Sequence, residues 1–196
     1  MTLDGGLLTT LNALALATGV AYAVLAARRN RLCWIAGAVS SVCAAILSAL
    51  NQLPMQAALQ VFYVGMSVFG WWSWVRDSRE GELEVGVWPH HWHIVAALAL
   101  VAVSMASAWW LAPGDAAAWP LLDSLTTWFS LLATWLAARA KLENWLYWIV
   151  IDGVLVFLFY VQDLPFLAFL NVLFIGIAAG GFVAWRRRLH AQMVPA

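Results

Sequence analysis

The chain has 196 residues, of which 64% are hydrophobic and only 10% charged, with a mean hydropathy of +0.82 and zero formal net charge. Soluble domains carry roughly 25% charged residues, so this composition excludes a water-covered globule. The neutral balance likewise excludes the basic footprint of a nucleic-acid binder.

Taken in chain order, seven apolar runs lie near the roughly 20 residues that a bilayer's hydrocarbon layer requires. They cover 7–27, 32–50, 55–75, 94–112, 121–138, 145–161 and 166–185 and predict an all-α membrane protein of seven transmembrane helices. The connections are short, except for a polar stretch at 76–93 that holds acids, a Pro and three His. Cys33 and Cys43 fall in one run, about 15 Å apart along a helix axis, too far for a disulfide. The first run has no basic segment before it, so no cleavable signal peptide is expected. The 14 Trp suit the boundary between an apolar interior and wet headgroups.

Basic residues set the expected orientation. With seven spans, Arg28, Arg29, Arg31, Arg76, Arg79, Arg139, Lys141, Arg186, Arg187 and Arg188 all fall on one side. The other side holds the N-terminus and the connections around Asn51, Asp115 and Asp163, without a basic residue. The positive-inside rule then puts the N-terminus outside and the C-terminus in the cytoplasm. A short chain of this style suits a bacterial inner membrane.

Sliding the chain by 111 residues aligns 7–76 with 118–187 without a gap, and 18 of the 70 aligned positions are identical. The matches include Arg28 with Arg139, Trp34 with Trp145, Pro54 with Pro165, Gly65 with Gly176, Gly70 with Gly181 and Trp74 with Trp185. The expected organisation is a three-helix repeat at 7–76, a loop and linker helix at 77–117 with the helix at 94–112, a second repeat at 118–187 and a cytoplasmic tail at 188–196. One linker helix makes the two repeats parallel, a construction that transporters use with the substrate near mid-membrane.

Asp152 stands about 12 Å into the sixth span, where a carboxylate costs several kcal/mol unless it is paired or hydrated. Helical spacing puts Asn144, Trp145 and Trp148 on its face, forming a stripe of amide, indoles and carboxylate. Such a stripe suits a flat ring with a positive charge. The alternative is a hydrogen-bonded packing residue. Gln60 and Asn171 occupy equivalent places in the third and seventh spans and offer donors and acceptors to a cavity or to a neighbouring helix. Tyr63 lies deeper than the other third-span aromatics, suited to a cavity wall or to core packing. Asn12 and Asp123 sit near the outer ends of their helices, where water can reach them; for Asp123 capping is the expected role, with attraction of a cation to an entry site as the alternative. His90-His91-x-His93 has no Cys or spaced carboxylate and is expected to be interfacial; no metal or cofactor is expected.

Glu143-Asn144-Trp145-x-x-Trp148-x-x-x-Asp152 resembles the signature of the PnuC family of vitamin transporters. The resemblance extends to Trp34-Ile35-Ala36-Gly37 and to Tyr63…Gly70-Trp71-x-x-Trp74, and covers nearly the whole chain. It implies a SWEET-like fold, carriage of nicotinamide riboside by facilitated diffusion, a trimeric assembly and a cytosolic kinase that traps the vitamin. It also implies Asn144, Trp148 and Asp152 as substrate contacts, with Gln60 and Asn171 as partners. Asp152 stands where nicotinamide riboside carriers often have Asn, and an acid suits the cationic ring of either nicotinamide riboside or thiamine. No Gly-x-x-x-x-Gly-Lys loop for ATP is present. Two other classes stay open: a lipid-acting enzyme, which would need a nucleophile–base pair at one depth, and a non-transporting assembly protein.

Overall fold

A computed structural model of the chain describes residues 5–50, 54–79, 82–111 and 118–193. The connections around Asn51 and Asp115, the end of the expected linker helix at Ala112 and the last three residues lie outside the described residues. Among the described residues there are seven α-helices: α1 (Gly5–Ala27), α2 (Cys33–Leu50), α3 (Pro54–Arg76), α4 (His90–Leu111), α5 (Ala118–Ala138), α6 (Asn144–Val161) and α7 (Pro165–Met193). All but α3 are long and apolar enough to cross a membrane. α3 has the length, 23 residues, but Gln56, Gln60 and its Tyr and Trp side chains lower its hydropathy.

Two boundaries differ from expectation. α4 starts at His90, so the His tract is its first helical turn rather than loop. Pro89 opens that turn, its carbonyl accepting from the Trp92 N–H at 3.0 Å, and a Pro at a helix start loses no bond. α7 continues through Arg186, Arg187 and Arg188 to Met193. Arg, Leu and Gln are good helix formers, and cations near a helix C-terminus suit its dipole. The 77–89 connection also holds a short antiparallel hairpin, β1 (Ser78–Arg79) with β2 (Glu82–Leu83), in register Ser78 to Leu83.

The chain divides into two compact units, Met1–Glu84 and Val85–Ala196. In the first, α2 packs on both α1 and α3. Trp34 of α2 is its centre, edge-on to Tyr22 of α1 at 5.7 Å and to Trp74 of α3 at 5.4 Å and 84°. Gly70 makes this possible, since a Cβ there would run into the Trp34 indole. Ser40 Oγ donates to the Ala15 carbonyl at 2.8 Å and ties α2 to α1.

The second unit has the same internal construction with α4 added beside α5. Trp145 of α6 meets Trp185 of α7 at 5.5 Å and 86°. A Cβ on Gly181 would lie 2.7 Å from the Trp145 indole. Trp128 Nε1 donates to Ser107 Oγ at 3.2 Å and joins α5 to α4. Trp92 begins α4, and Trp109 and Trp110 end it at 77% and 82% exposure. That spacing is about 26 Å at 1.5 Å per residue, close to a hydrocarbon thickness between two aromatic belts.

The correspondence between units reaches the backbone. α2 starts at Cys33 and ends at Leu50; 111 residues later α6 starts at Asn144 and ends at Val161. α3 and α7 both open on a Pro, at 54 and 165. α1 ends with Arg29 at φ 56°, while Arg29 N–H bonds the Ala26 carbonyl and Asn30 N–H the Leu25 carbonyl. α5 ends identically, with Ala140 at φ 51°, Ala140 N–H on Ala137 and Lys141 N–H on Leu136. This pair of bonds satisfies carbonyls that a helix end leaves free. It offsets the roughly 1–2 kcal/mol that a left-handed non-glycine residue costs.

Candidate functional site

At about 100° per residue, α6 presents two faces. Asn144, Trp148 and Asp152 share one, with Trp145 only about 20° beyond Asp152. Because Trp145 is seated on Gly181 and Trp185, the Asp152 face is turned toward α7. Asp152 is 6% exposed, and among the described residues its carboxylate has no hydrogen-bonding or ionic partner. A bare carboxylate in a membrane-spanning helix is costly, so such residues mark substrate or ion paths.

The stripe is not uniform. Asn144, 1% exposed, donates from Nδ2 to the Lys141 carbonyl at 2.6 Å and closes the α5–α6 turn. Trp145 is a packing residue, and its indole N–H is buried without a partner among the described residues, as is that of Trp34. Trp148 is half-buried and takes part in neither arrangement. On α7, Asn171 is buried and its Nδ2 bonds the Leu167 carbonyl of its own helix at 2.8 Å. Gln60 and Tyr63 belong to the first unit, both half-buried on α3. The Tyr63 ring lies 5.9 Å from Phe62, and its carbonyl accepts from Ser67 Oγ at 2.9 Å.

A cavity of about 360 Å³ lies between α5 and α6, lined by Leu122, Thr126, Phe129, Tyr147, Val150 and Val154 among others. It sits on the face of α6 roughly opposite Asp152. Its walls are almost wholly apolar, so it offers a polar vitamin nothing to bond.

Sequence reasoning missed two features. Thr126, Ser130 and Thr134 form a buried hydroxyl ladder along α5, each donating to the carbonyl four residues back at 3.0, 2.6 and 2.8 Å. Their spacing of four was the available signal. The second is a polar cluster at the start of α4. His93 Nδ1 lies 2.9 Å from Tyr147 Oη, and Glu143 Oε1 accepts from the Trp88 N–H at 2.9 Å. No sequence pattern pairs residues so far apart.

A family model described as "Nicotinamide mononucleotide transporter" matches residues 9–187. Two curated relatives, the nicotinamide riboside transporter PnuC of Escherichia coli (strain K12) and that of Shigella flexneri, are each 26% identical over 160 residues, 68% of this chain and 67% of theirs. The crystal structure of the vitamin B3 transporter PnuC superposes with a TM-score of 0.74 at 21% identity, covering 93% of this chain and 83% of that one. That likeness speaks to the fold: seven helices in the arrangement of a multi-pass membrane protein.

Proposed function

We propose that this chain, which belongs to the nicotinamide mononucleotide transporter family, carries nicotinamide riboside across the membrane by facilitated diffusion. The observation that carries the reading is Asp152, buried on α6 beside Trp148 with no partner for its charge among the described residues. Nicotinamide riboside supplies what the pair lacks, a flat pyridinium ring whose positive charge answers a carboxylate and whose face stacks on an indole. The same carboxylate disfavours a nucleotide, because a phosphate would bring a second negative charge into a low-dielectric site. Thiamine, also a cationic ring, is the second reading, and Asp152 favours it by the same logic.

The substrate contacts in this proposal are Trp148 and Asp152 on α6, supported by Asn171 on α7; Gln60 and Tyr63 on α3 are the separate candidates of the first unit. Asn144 and Trp145 hold α6 in place. The organisation is two three-helix repeats, 7–76 and 118–187, joined through α4 as linker, in a bacterial inner membrane with the N-terminus outside. A trimer, a cytosolic kinase that traps the vitamin, and the absence of catalysis by the chain itself complete the proposal. It is supported by the names of the relatives and by the one-sided distribution of Lys and Arg.

Titration calorimetry of the purified protein with nicotinamide riboside, nicotinamide mononucleotide, thiamine and riboflavin tests this. Saturable binding of nicotinamide riboside, with the mononucleotide at least about tenfold weaker, is expected (~1.4 kcal/mol). Preference for thiamine would replace the substrate, and binding of none would remove the transporter reading.

A further inference from the structure

The segment 85–93, from just after β2 into the first turn of α4, runs along the end of the second unit where α5 turns into α6. Its backbone is bonded there at several places. Val85 N–H donates to Gln192 Oε1 of α7 at 3.1 Å. Gly86 N–H donates to the Ala140 carbonyl at 3.0 Å, and the Gly86 carbonyl accepts from Leu142 N–H at 2.9 Å, forming a parallel bridge. Trp88 N–H donates to Glu143 Oε1 at 2.9 Å, and the Trp88 ring stands edge-on to Trp135 of α5 at 5.7 Å. The Lys141 side chain lies over Gly86, its Nζ 2.8 Å from where a Cβ would stand. One short strand of chain thus touches the ends of α5, α6 and α7.

The last residue of the segment carries the chemistry. His93 is stacked near Tyr147 at 5.8 Å and edge-on to Trp88 at 4.8 Å. Its Nδ1 bonds Tyr147 Oη, and its Nε2 faces Glu143 Oε1 at 3.9 Å. Both Nε2 and the second Glu143 oxygen are buried and without a hydrogen bond among the described residues. A neutral ring facing a carboxylate takes the tautomer with its proton on Nε2, while Nδ1 accepts from the Tyr147 hydroxyl. A second proton on Nδ1 turns the Tyr147 bond around and makes the Glu143 contact an ion pair. The other titratable groups around the cluster are His90, whose ring lies 6.4 Å from that of His93 on α4, and Lys141 beside Gly86.

We propose that segment 85–93 is a clamp on the joined ends of α5, α6 and α7, fastened by His93 on Glu143 and Tyr147, and that protonation of His93 tightens it. The charged form converts a weak contact into a charge-assisted hydrogen bond in a half-buried setting, the stronger class of bond. With the ring neutral, the Tyr147 bond and the backbone bonds hold the segment; with it charged, the Glu143 ion pair is added.

Amide hydrogen exchange of the full-length protein in lipid nanodiscs reads this directly, without any transport substrate. After correction for intrinsic rates, protection at Gly86, Trp88 and Leu142 is expected to rise about tenfold from about pH 8 to about pH 6. His93→Gln and Glu143→Gln, which keep hydrogen-bonding amides but cannot form the ion pair, should flatten that rise. His90→Gln should leave it in place, and Tyr147→Phe should lower protection at both pH values. An unaltered rise in both His93→Gln and Glu143→Gln, or unprotected amides in the native chain, would overturn the proposal.

Discussion

Trp145 stands edge-on to Trp185 at 5.5 Å and 86°, and the same pair recurs 111 residues earlier as Trp34 and Trp74 at 5.4 Å and 84°. Each pair is built around a glycine on the third helix of its set, Gly181 or Gly70, at which the indole of the second helix lies flat against the backbone. The two helices approach closely because nothing but hydrogen fills that position, which is how membrane helices gain packing energy where no water is expelled.

Gly181→Ala should therefore destabilise the protein by about 1–3 kcal/mol through overpacking, and Gly70→Ala likewise. Gly176→Ala, with nothing within 4 Å of a new Cβ, should be neutral or stabilising by up to about 1 kcal/mol from helix propensity. Thermal unfolding in one detergent orders the three variants. Equal losses at Gly181 and Gly176 would refute the packing role.

The two indoles of α6 should separate in their effects. Trp145→Ala removes the core contact to α7 and should cost about 3–5 kcal/mol of stability. Trp148→Ala should leave the fold nearly intact and weaken vitamin binding about tenfold or more, the scale of a desolvated cation–π contact. Calorimetry and melting on both variants decide it.

Asp152→Asn should move stability and affinity in opposite directions. The neutral amide removes a buried charge that has no partner among the described residues, so the melting temperature should rise by a few degrees. Affinity for a cationic ring should drop by about tenfold or more. A simultaneous loss of both would make Asp152 a structural residue.

Val150→Trp probes the other face of α6. Val150 lines the apolar cavity between α5 and α6, on the side away from Asp152. Filling that cavity should leave vitamin affinity within about twofold, a change below ~0.5 kcal/mol. A large loss of affinity would relocate the site.

A fluorescent reporter fused after Ala196 should report from the cytoplasm, since all ten Lys and Arg gather on that side of a seven-span chain. A periplasmic signal would reverse the proposed orientation.

Much of this protein was legible along the chain because the bilayer imposes local rules. Every backbone group must be bonded within its own helix in lipid, so length and hydropathy alone marked seven helices, and α2 and α6 begin and end within a residue of where the apolar runs do. The 111-residue offset was also local information, carried by matching Trp, Pro and Gly. What the sequence left undecided was direction around each helix axis. Asn144, Trp145, Trp148 and Asp152 share a face by spacing, yet Asn144 bonds the Lys141 carbonyl and Trp145 packs on α7. Only Trp148 and Asp152 are left without such an assignment, and only the glycine at 181 decides it. The contact of His93 with Glu143 and Tyr147 joins parts of the chain some fifty residues apart. Pairings of that kind arise from which surfaces meet when helices pack, and no periodicity within one helix encodes them.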